Sequence, residues 1–250
     1  MSRGEERRRS RDKGGSDMTR FYLILGTIAV LGVGAISWVV GGNVLGTAVS
    51  DPIEVEGLDD MQVLAELAQG VSSGDTAAAV TIIEFGDYQC PGCGGFALSV
   101  KPQLDLMFVQ TGRAQFVFYD FPLIAIHAHA FLAARAARCA GDEGQYWEYH
   151  QQLFRNQSSW SGRQSAVGAF LGYGEALGFD QDAFEGCLKS DKYADVVTAN
   201  MRLGAELGIS GTPTVLIEAQ GQLRPVIGVD FQSIEEAIES VLEDVGAARD

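Results

Sequence analysis

The chain holds 250 residues, 46% of them hydrophobic, with 18 Lys/Arg against 33 Asp/Glu and a formal net charge of −15. So acidic a balance argues against a nucleic-acid partner, whose phosphates it would repel. The length suffices for one domain with a real core, and neither an internal repeat nor a low-complexity stretch beyond the N-terminal tail suggests more.

Residues 1–20 carry seven Lys/Arg and four Asp/Glu, net +3, with almost nothing apolar. They cannot bury a core, so a disordered tail is expected. Phe21 to Val40 then runs 20 residues without a charge. As a helix that run spans about 30 Å, the thickness of a bilayer core. A single-pass transmembrane helix is therefore predicted at 21–40. The arginine-rich side predicts a cytoplasmic tail and an extracytoplasmic remainder after Gly41, hence a place at the cell membrane. The competing reading is a signal peptide cleaved near Ala48-Val49-Ser50. Signal cores usually run about 7–15 residues, which favours a retained anchor. Everything beyond residue 20 holds 11 Lys/Arg and 29 Asp/Glu, net −18; this speaks against a second contact with anionic lipid, and solubility accounts for it.

Residues 41–74 read as a linker and a lead-in helix, with Leu58, Met61, Leu64 and Leu67 at helical spacing. A domain is expected over 75–250. Its first strand is Val80 to Phe85, followed by a helix over about 92–110 with Phe96, Val100, Leu104 and Phe108 on one face. Gln115 to Tyr119 reads as a second strand, and 127–208 as helical. Thr214 to Ile217 and Leu223 to Val226 flank Ala219-Gln220-Gly221-Gln222, a hairpin with a turn-forming Gly. A last helix is predicted to open at Ser233, with Glu236 completing a capping box and Ile234, Ile238 and Val241 turned inward.

The chemistry concentrates at Cys90-Pro91-Gly92-Cys93, directly after the first strand. A strand feeding the first turn of a helix brings unpaired N–H groups and the positive dipole end to Cys90, which favours its thiolate. Cys93, one turn along, can close a disulfide on it. The pair is therefore read as a dithiol/disulfide exchange centre, with Cys90 the nucleophile and Cys93 the more buried resolving thiol. A zinc site would normally bring a second CxxC. The other cysteines, Cys139 and Cys187, instead stand alone, 48 positions apart. In an oxidising compartment two remaining cysteines usually pair, so a structural disulfide is expected there, with free thiols or a second redox relay as alternatives. His127 and His129 are two apart and point away from each other on a helix, and His150 shares an aromatic face with Tyr146, Trp147 and Phe154. No metal and no cofactor is expected.

With these residues in hand, 75–245 resembles the DsbA-like branch of the thioredoxin superfamily, including its membrane-anchored extracytoplasmic forms. The resemblance rests on Val80 to Phe85 followed by Cys90-Pro-Gly-Cys93, on Val117-Phe-Tyr-Asp-Phe-Pro122, on the stretch 133–139 running into Trp147 and His150, and on Gly211-Thr-Pro-Thr214. It implies an α/β thioredoxin-like fold with a helical insertion, at about 126–208, between the halves of the sheet. It makes Pro213 the cis-proline beside the dithiol and Thr212 the residue whose backbone meets an extended substrate chain. Glu84 falls where such folds place a buried acid with a raised pKa, able to take the proton of Cys93. Strongly oxidising members often carry His where this chain has Gly92, so a less depressed Cys90 pKa and a less oxidising couple are expected.

The activity implied is disulfide formation in unfolded or reduced exported proteins, with reoxidation by a quinone-linked membrane partner of the DsbB or VKOR type. A membrane-anchored reductase is the alternative within the chemistry. An isomerase would need a dimerisation segment, for which 41–75 is short. A non-enzymatic client-binding module is the alternative outside it.

Overall fold

The computed structural model describes residues 48–247. The predicted tail at 1–20 and membrane span at 21–40 lie outside them. No helix among the described residues is long and apolar enough to cross a membrane.

The elements run α1 (Met61–Leu67), β1 (Val71–Ser73), β2 (Val80–Gly86), α2 (Pro91–Gly95), α3 (Lys101–Leu104) and β3 (Ala114–Asp120). Then come α4 (Ala130–Asp142), α5 (Tyr146–Arg155), α6 (Gln157–Trp160), α7 (Val167–Ala176), α8 (Gln181–Lys189) and α9 (Ala194–Glu206). The chain closes with β4 (Thr214–Ala219), β5 (Gln222–Pro225) and α10 (Phe231–Ala247). The sheet order is β1-β3-β2-β4-β5. Only β2 and β3 are parallel, joined by a crossover through α2 and α3. Helices α4–α9 form the insertion between β3 and β4.

Alternation on the strands sorts the two faces of the sheet. Val80, Ile82, Phe116, Phe118, Val215 and Ile217 enter the main core, under Phe96, Leu104 and Phe108 of the crossover and Ile234 and Ile238 of α10. The opposite face packs Phe85, Phe121 and Leu216 against Leu203 of α9.

The structure differs from the sequence reading at four places. Strand β1, too short to show periodicity, lies in the expected linker and pairs antiparallel with β3, so the domain begins before residue 75. The lead-in helix is confined to Met61–Leu67, capped by the Asp60 carboxylate on the N–H groups of Gln62 and Val63. The helix after the dithiol is not uniform: α2 and α3 are joined by a π-type turn over Phe96–Val100, and a second follows at Asp105–Val109. Pro102 between them has no N–H to give, which displaces the regular hydrogen-bond ladder. The last helix opens at Phe231. Asp230 caps it, accepting from the Ser233 N–H at 3.0 Å and the Ser233 hydroxyl at 2.7 Å, in place of the predicted Ser233–Glu236 box. The hairpin turn is at Gln220-Gly221, both with positive φ as a two-residue turn requires.

Candidate active site

One short piece of chain places most of the site: the end of β2, the loop 87–89 and the first turn of α2. Cys90 is the N-cap of α2, and Pro91 follows at the first helical position, where the missing N–H removes no helical bond. Cys90 is half-buried and Cys93 fully buried, both as free thiols. The environment drives the two sulfurs apart. Cys90 is pulled down to about 5, first by the hydrogen bond it receives from the Cys93 thiol. The Thr212 side chain and the N–H groups of Cys93 and Gly92 add to this, against partial burial. Cys93 is pushed far up, first by burial, then because its S–H is given to Cys90, then by the Glu84 carboxyl nearby. The N–H of Asp87 donates to the Cys93 sulfur at 3.4 Å.

The loop before β4 closes over the dithiol. The Thr212-Pro213 peptide is cis. The Cys90 thiol donates to the Thr212 carbonyl at 3.3 Å. The Thr212 hydroxyl is buried with no other partner, so it is free to serve the Cys90 thiolate. A Cβ at Gly92 would stand 3.3 Å from Pro213 Cδ and 3.6 Å from Cys90 Sγ, so glycine permits this close approach of the two loops.

Glu84 lies on β2 between Phe118 of β3 and Val215 of β4, with no exposed surface and no hydrogen-bond partner for either carboxyl oxygen. Burial pushes its pKa up to about 8, with Lys101 pulling down and Cys90 pushing up more weakly. Lys101 is held back from a direct pair. Its Nζ bonds Asp105 at 2.8 Å and lies over the rings of Phe116 at 4.7 Å and Trp147 at 4.5 Å. At neutral pH Glu84 is thus a neutral acid near both sulfurs, with a proton to give or take.

Several residues of the site carry no sequence signal. The Gln157 side-chain amide donates to the carbonyls of Tyr88 at 2.7 Å and Cys90 at 2.9 Å, tying the insertion to the dithiol loop. Gly94 leaves room for it, since a Cβ there would stand 3.1 Å from Gln157 Oε1. The Tyr88 hydroxyl reaches Tyr146 at 3.1 Å and His150 Nδ1 at 2.9 Å in the core. Burial holds His150 well below its ordinary pKa, hence neutral. His127 and His129 go to different partners, Asp87 at 2.7 Å and the Arg163 carbonyl at 2.7 Å. A contact across some 70 residues leaves no local pattern, and nothing in the chain's periodicity marked Asp87 or Gln157. Away from the dithiol, Cys139 of α4 and Cys187 of α8 are joined in a disulfide. Among the described residues no group of three His, Cys, Asp or Glu side chains is arranged to hold a metal ion.

A family model described as thioredoxin matches residues 66–238, more than half of the chain. The chain belongs to the thioredoxin family. Disulfide bond formation protein D of Bacillus subtilis is 26% identical over 176 residues, covering 68% of this chain and 76% of the relative. The Na(+)/H(+) antiporter NhaA 1 of Salinispora arenicola is 32% identical over 166 residues, covering 66% of this chain. The match spans only 24% of that antiporter's length. Among solved structures, oxidised BdbD of Bacillus subtilis superposes with a TM-score of 0.62 at 24% identity, over 78% of this chain and 98% of that one. Wolbachia pipientis α-DsbA1 does so at 0.65 and 20% identity, over 73% and 95%. These two likenesses concern the fold. Within this thioredoxin-family domain, a half-exposed acidic thiol, a buried partner and a neutral carboxyl make a centre suited to thiol–disulfide exchange.

Proposed function

We propose that this protein is an extracytoplasmic thiol–disulfide oxidoreductase that forms disulfide bonds in exported proteins. The observation that carries the reading is the opposite displacement of the two sulfurs, Cys90 down to about 5 and Cys93 far up. A thiolate stabilised in the reduced form makes the dithiol the preferred state, so the disulfide is readily given away; the strong oxidants of this chemistry work in that way. Relatives named disulfide bond formation protein D and putative protein-disulfide oxidoreductase support the same direction.

In the proposed cycle a substrate thiolate attacks Cys90 Sγ of the enzyme disulfide, and the electron pair of the broken bond leaves on Cys93. Glu84 gives Cys93 its proton. The second substrate thiolate then attacks the substrate sulfur of the mixed disulfide and expels Cys90 as a thiolate. The substrate is oxidised by two electrons and the enzyme left as a dithiol. Thr212 and Pro213 line the place where the substrate chain crosses Cys90. A quinone-linked membrane partner restores the disulfide. We take residues 21–40 as the anchor, residues 41 onward as extracytoplasmic, and Cys139–Cys187 as structural.

Equilibration of the Cys90–Cys93 couple of the full-length chain against glutathione tests the direction. A potential well above about −200 mV is expected; a value near about −270 mV, thioredoxin's range, would replace the oxidase by a reductase.

A further inference from the structure

Asp87 is an unusual neighbour for a dithiol, because its carboxylate is almost fully buried and all its hydrogen-bond partners lie within the protein. Its Oδ1 accepts from the N–H of Gln89 at 2.7 Å, and its Oδ2 from the N–H of Leu123 at 2.8 Å and from His127 Nδ1 at 2.7 Å. A carboxylate only accepts, so Nδ1 carries the proton. Two of the three donors come from the loop after β3, which has no sequence proximity to the CxxC. The main chain of Asp87 works in the other direction: its carbonyl accepts from the Cys90 N–H at 3.1 Å, and its N–H donates to Cys93 Sγ at 3.4 Å. The side chain of this residue is thus pinned from one loop while its backbone touches both cysteines.

We propose that His127 is a positioning residue for the resolving sulfur. Through Asp87 it holds one peptide N–H on Cys93, so that Cys93 leaves as a stabilised thiolate when Cys90 is attacked. This rests on the exchange chemistry proposed above and adds a residue to it. When the Cys90–Cys93 bond breaks, the negative charge appears on a fully buried sulfur that, as half of a neutral disulfide, had needed little help. A donor aimed at an ionised acceptor in such a place is worth more than one aimed at a neutral atom. Without His127 the buried carboxylate lacks one of its three donors and has reason to turn towards the mostly buried space His127 leaves, taking its own N–H off Cys93. Cys90 draws its stabilisation from the Cys93 thiol, Thr212 and the N–H groups of Cys93 and Gly92, and none of these donors belongs to Asp87 or His127.

The test uses the full-length oxidised chain and reduced glutathione as the attacking thiol, with the rate of mixed-disulfide formation followed at fixed pH. His127→Leu is expected to slow that step about tenfold, the weight of one hydrogen bond to a charged group. His127→Asn, whose amide nitrogen stands where Nδ1 does, is expected to restore it to within about twofold of wild type, since it returns an N–H donor to Asp87. The ultraviolet titration of the Cys90 thiolate in the reduced chain is expected to be the same in all three. Should Leu prevent folding, His127→Gln replaces it: its amide nitrogen falls at the Nε2 position, away from Asp87, and the same slowing is expected. Equal rates in wild type and in the Leu or Gln variant would overturn the inference. So would an Asn variant as slow as Leu, or a Cys90 titration that moves with the rate, since either would mean general loosening of the loop. A wild-type chain that forms no mixed disulfide at all would instead overturn the proposed function.

Discussion

At the scale of single residues, the site works by keeping two acids in the wrong state for water. Glu84, with an ordinary value near 4.5, is held at about 8 by burial, and Cys90 is held at about 5 by donated hydrogen bonds. These act oppositely on stability. Between about pH 4.5 and 8 the folded Glu84 keeps a proton that the unfolded chain has lost, so its contribution is whole below that window and is lost as pH rises through it. The full span corresponds to about 5 kcal/mol at most. Cys90 is ionised in the folded reduced chain before it is in the unfolded one, so it adds stability as pH rises above about 5. In the disulfide form Cys90 does not titrate, and the Glu84 loss stands uncompensated. Urea unfolding at pH 5 and pH 8 is therefore expected to show a large fall for the oxidised chain and a small one for the reduced chain. Glu84→Gln is expected to flatten the oxidised profile by several kcal/mol; an oxidised profile that stays steep in that variant would remove Glu84 from the account.

At the scale of elements, the insertion shares the sheet's core and is also attached to it by specific polar ties. Gln157 of α6 holds the dithiol loop, and Arg138 of α4 pairs with the buried Asp120 at the end of β3 at 2.6 Å. The C-terminal end of α8 is fastened twice to α4. One fastening is the Cys139–Cys187 bridge. The other is Arg135, fully buried, whose guanidinium donates to the carbonyls of Cys187 at 3.3 Å, Leu188 at 3.4 Å and Lys192 at 3.0 Å. Closing a loop of this length is worth roughly 2–4 kcal/mol through the unfolded chain. A Cys139→Ser, Cys187→Ser double variant is expected to lose about that much in urea unfolding and to keep the Cys90–Cys93 potential, because Arg135 still holds α8 and nothing in the dithiol site touches the bridge. A shift of more than about 30 mV in the couple, a tenfold change in its exchange constant, would instead make the bridge part of the redox chemistry.

At the scale of the whole molecule, the segment leading into the domain is stitched down before the sheet begins. Arg135 also donates to the Val49 carbonyl at 2.7 Å, and the Ile53 N–H to the Thr198 hydroxyl of α9 at 3.3 Å. Val49 and Ile53 pack against the core. In the proposed topology, protease added outside intact spheroplasts is expected to digest residues beyond 50 and leave a membrane-bound fragment containing 21–40. Protection of the domain, or its release into the medium as an intact soluble protein, would overturn the retained anchor.

What the sequence determined by itself is what lies close together along it. The CPGC after a strand, the apolar faces of the crossover and last helices, a hairpin turn within 219–222 and the order of the four longer strands and the helical block all depend on neighbours within a few residues, and all were legible. Glu84 was legible only through the family resemblance, because its burial between Phe118 and Val215 comes from strand pairing. Strand β1 was missed since three residues have no period, and the cap of the last helix was misread because Asp230 and Ser233 are both good capping residues at nearby positions. Tertiary structure alone decided the rest. A pKa is set by what surrounds a group in space, and hydrogen bonds such as Gln157 to Cys90, His127 to Asp87 and Arg135 to Val49 join residues dozens of positions apart. Their cause is the packing of the insertion on the sheet, and no local pattern encodes it.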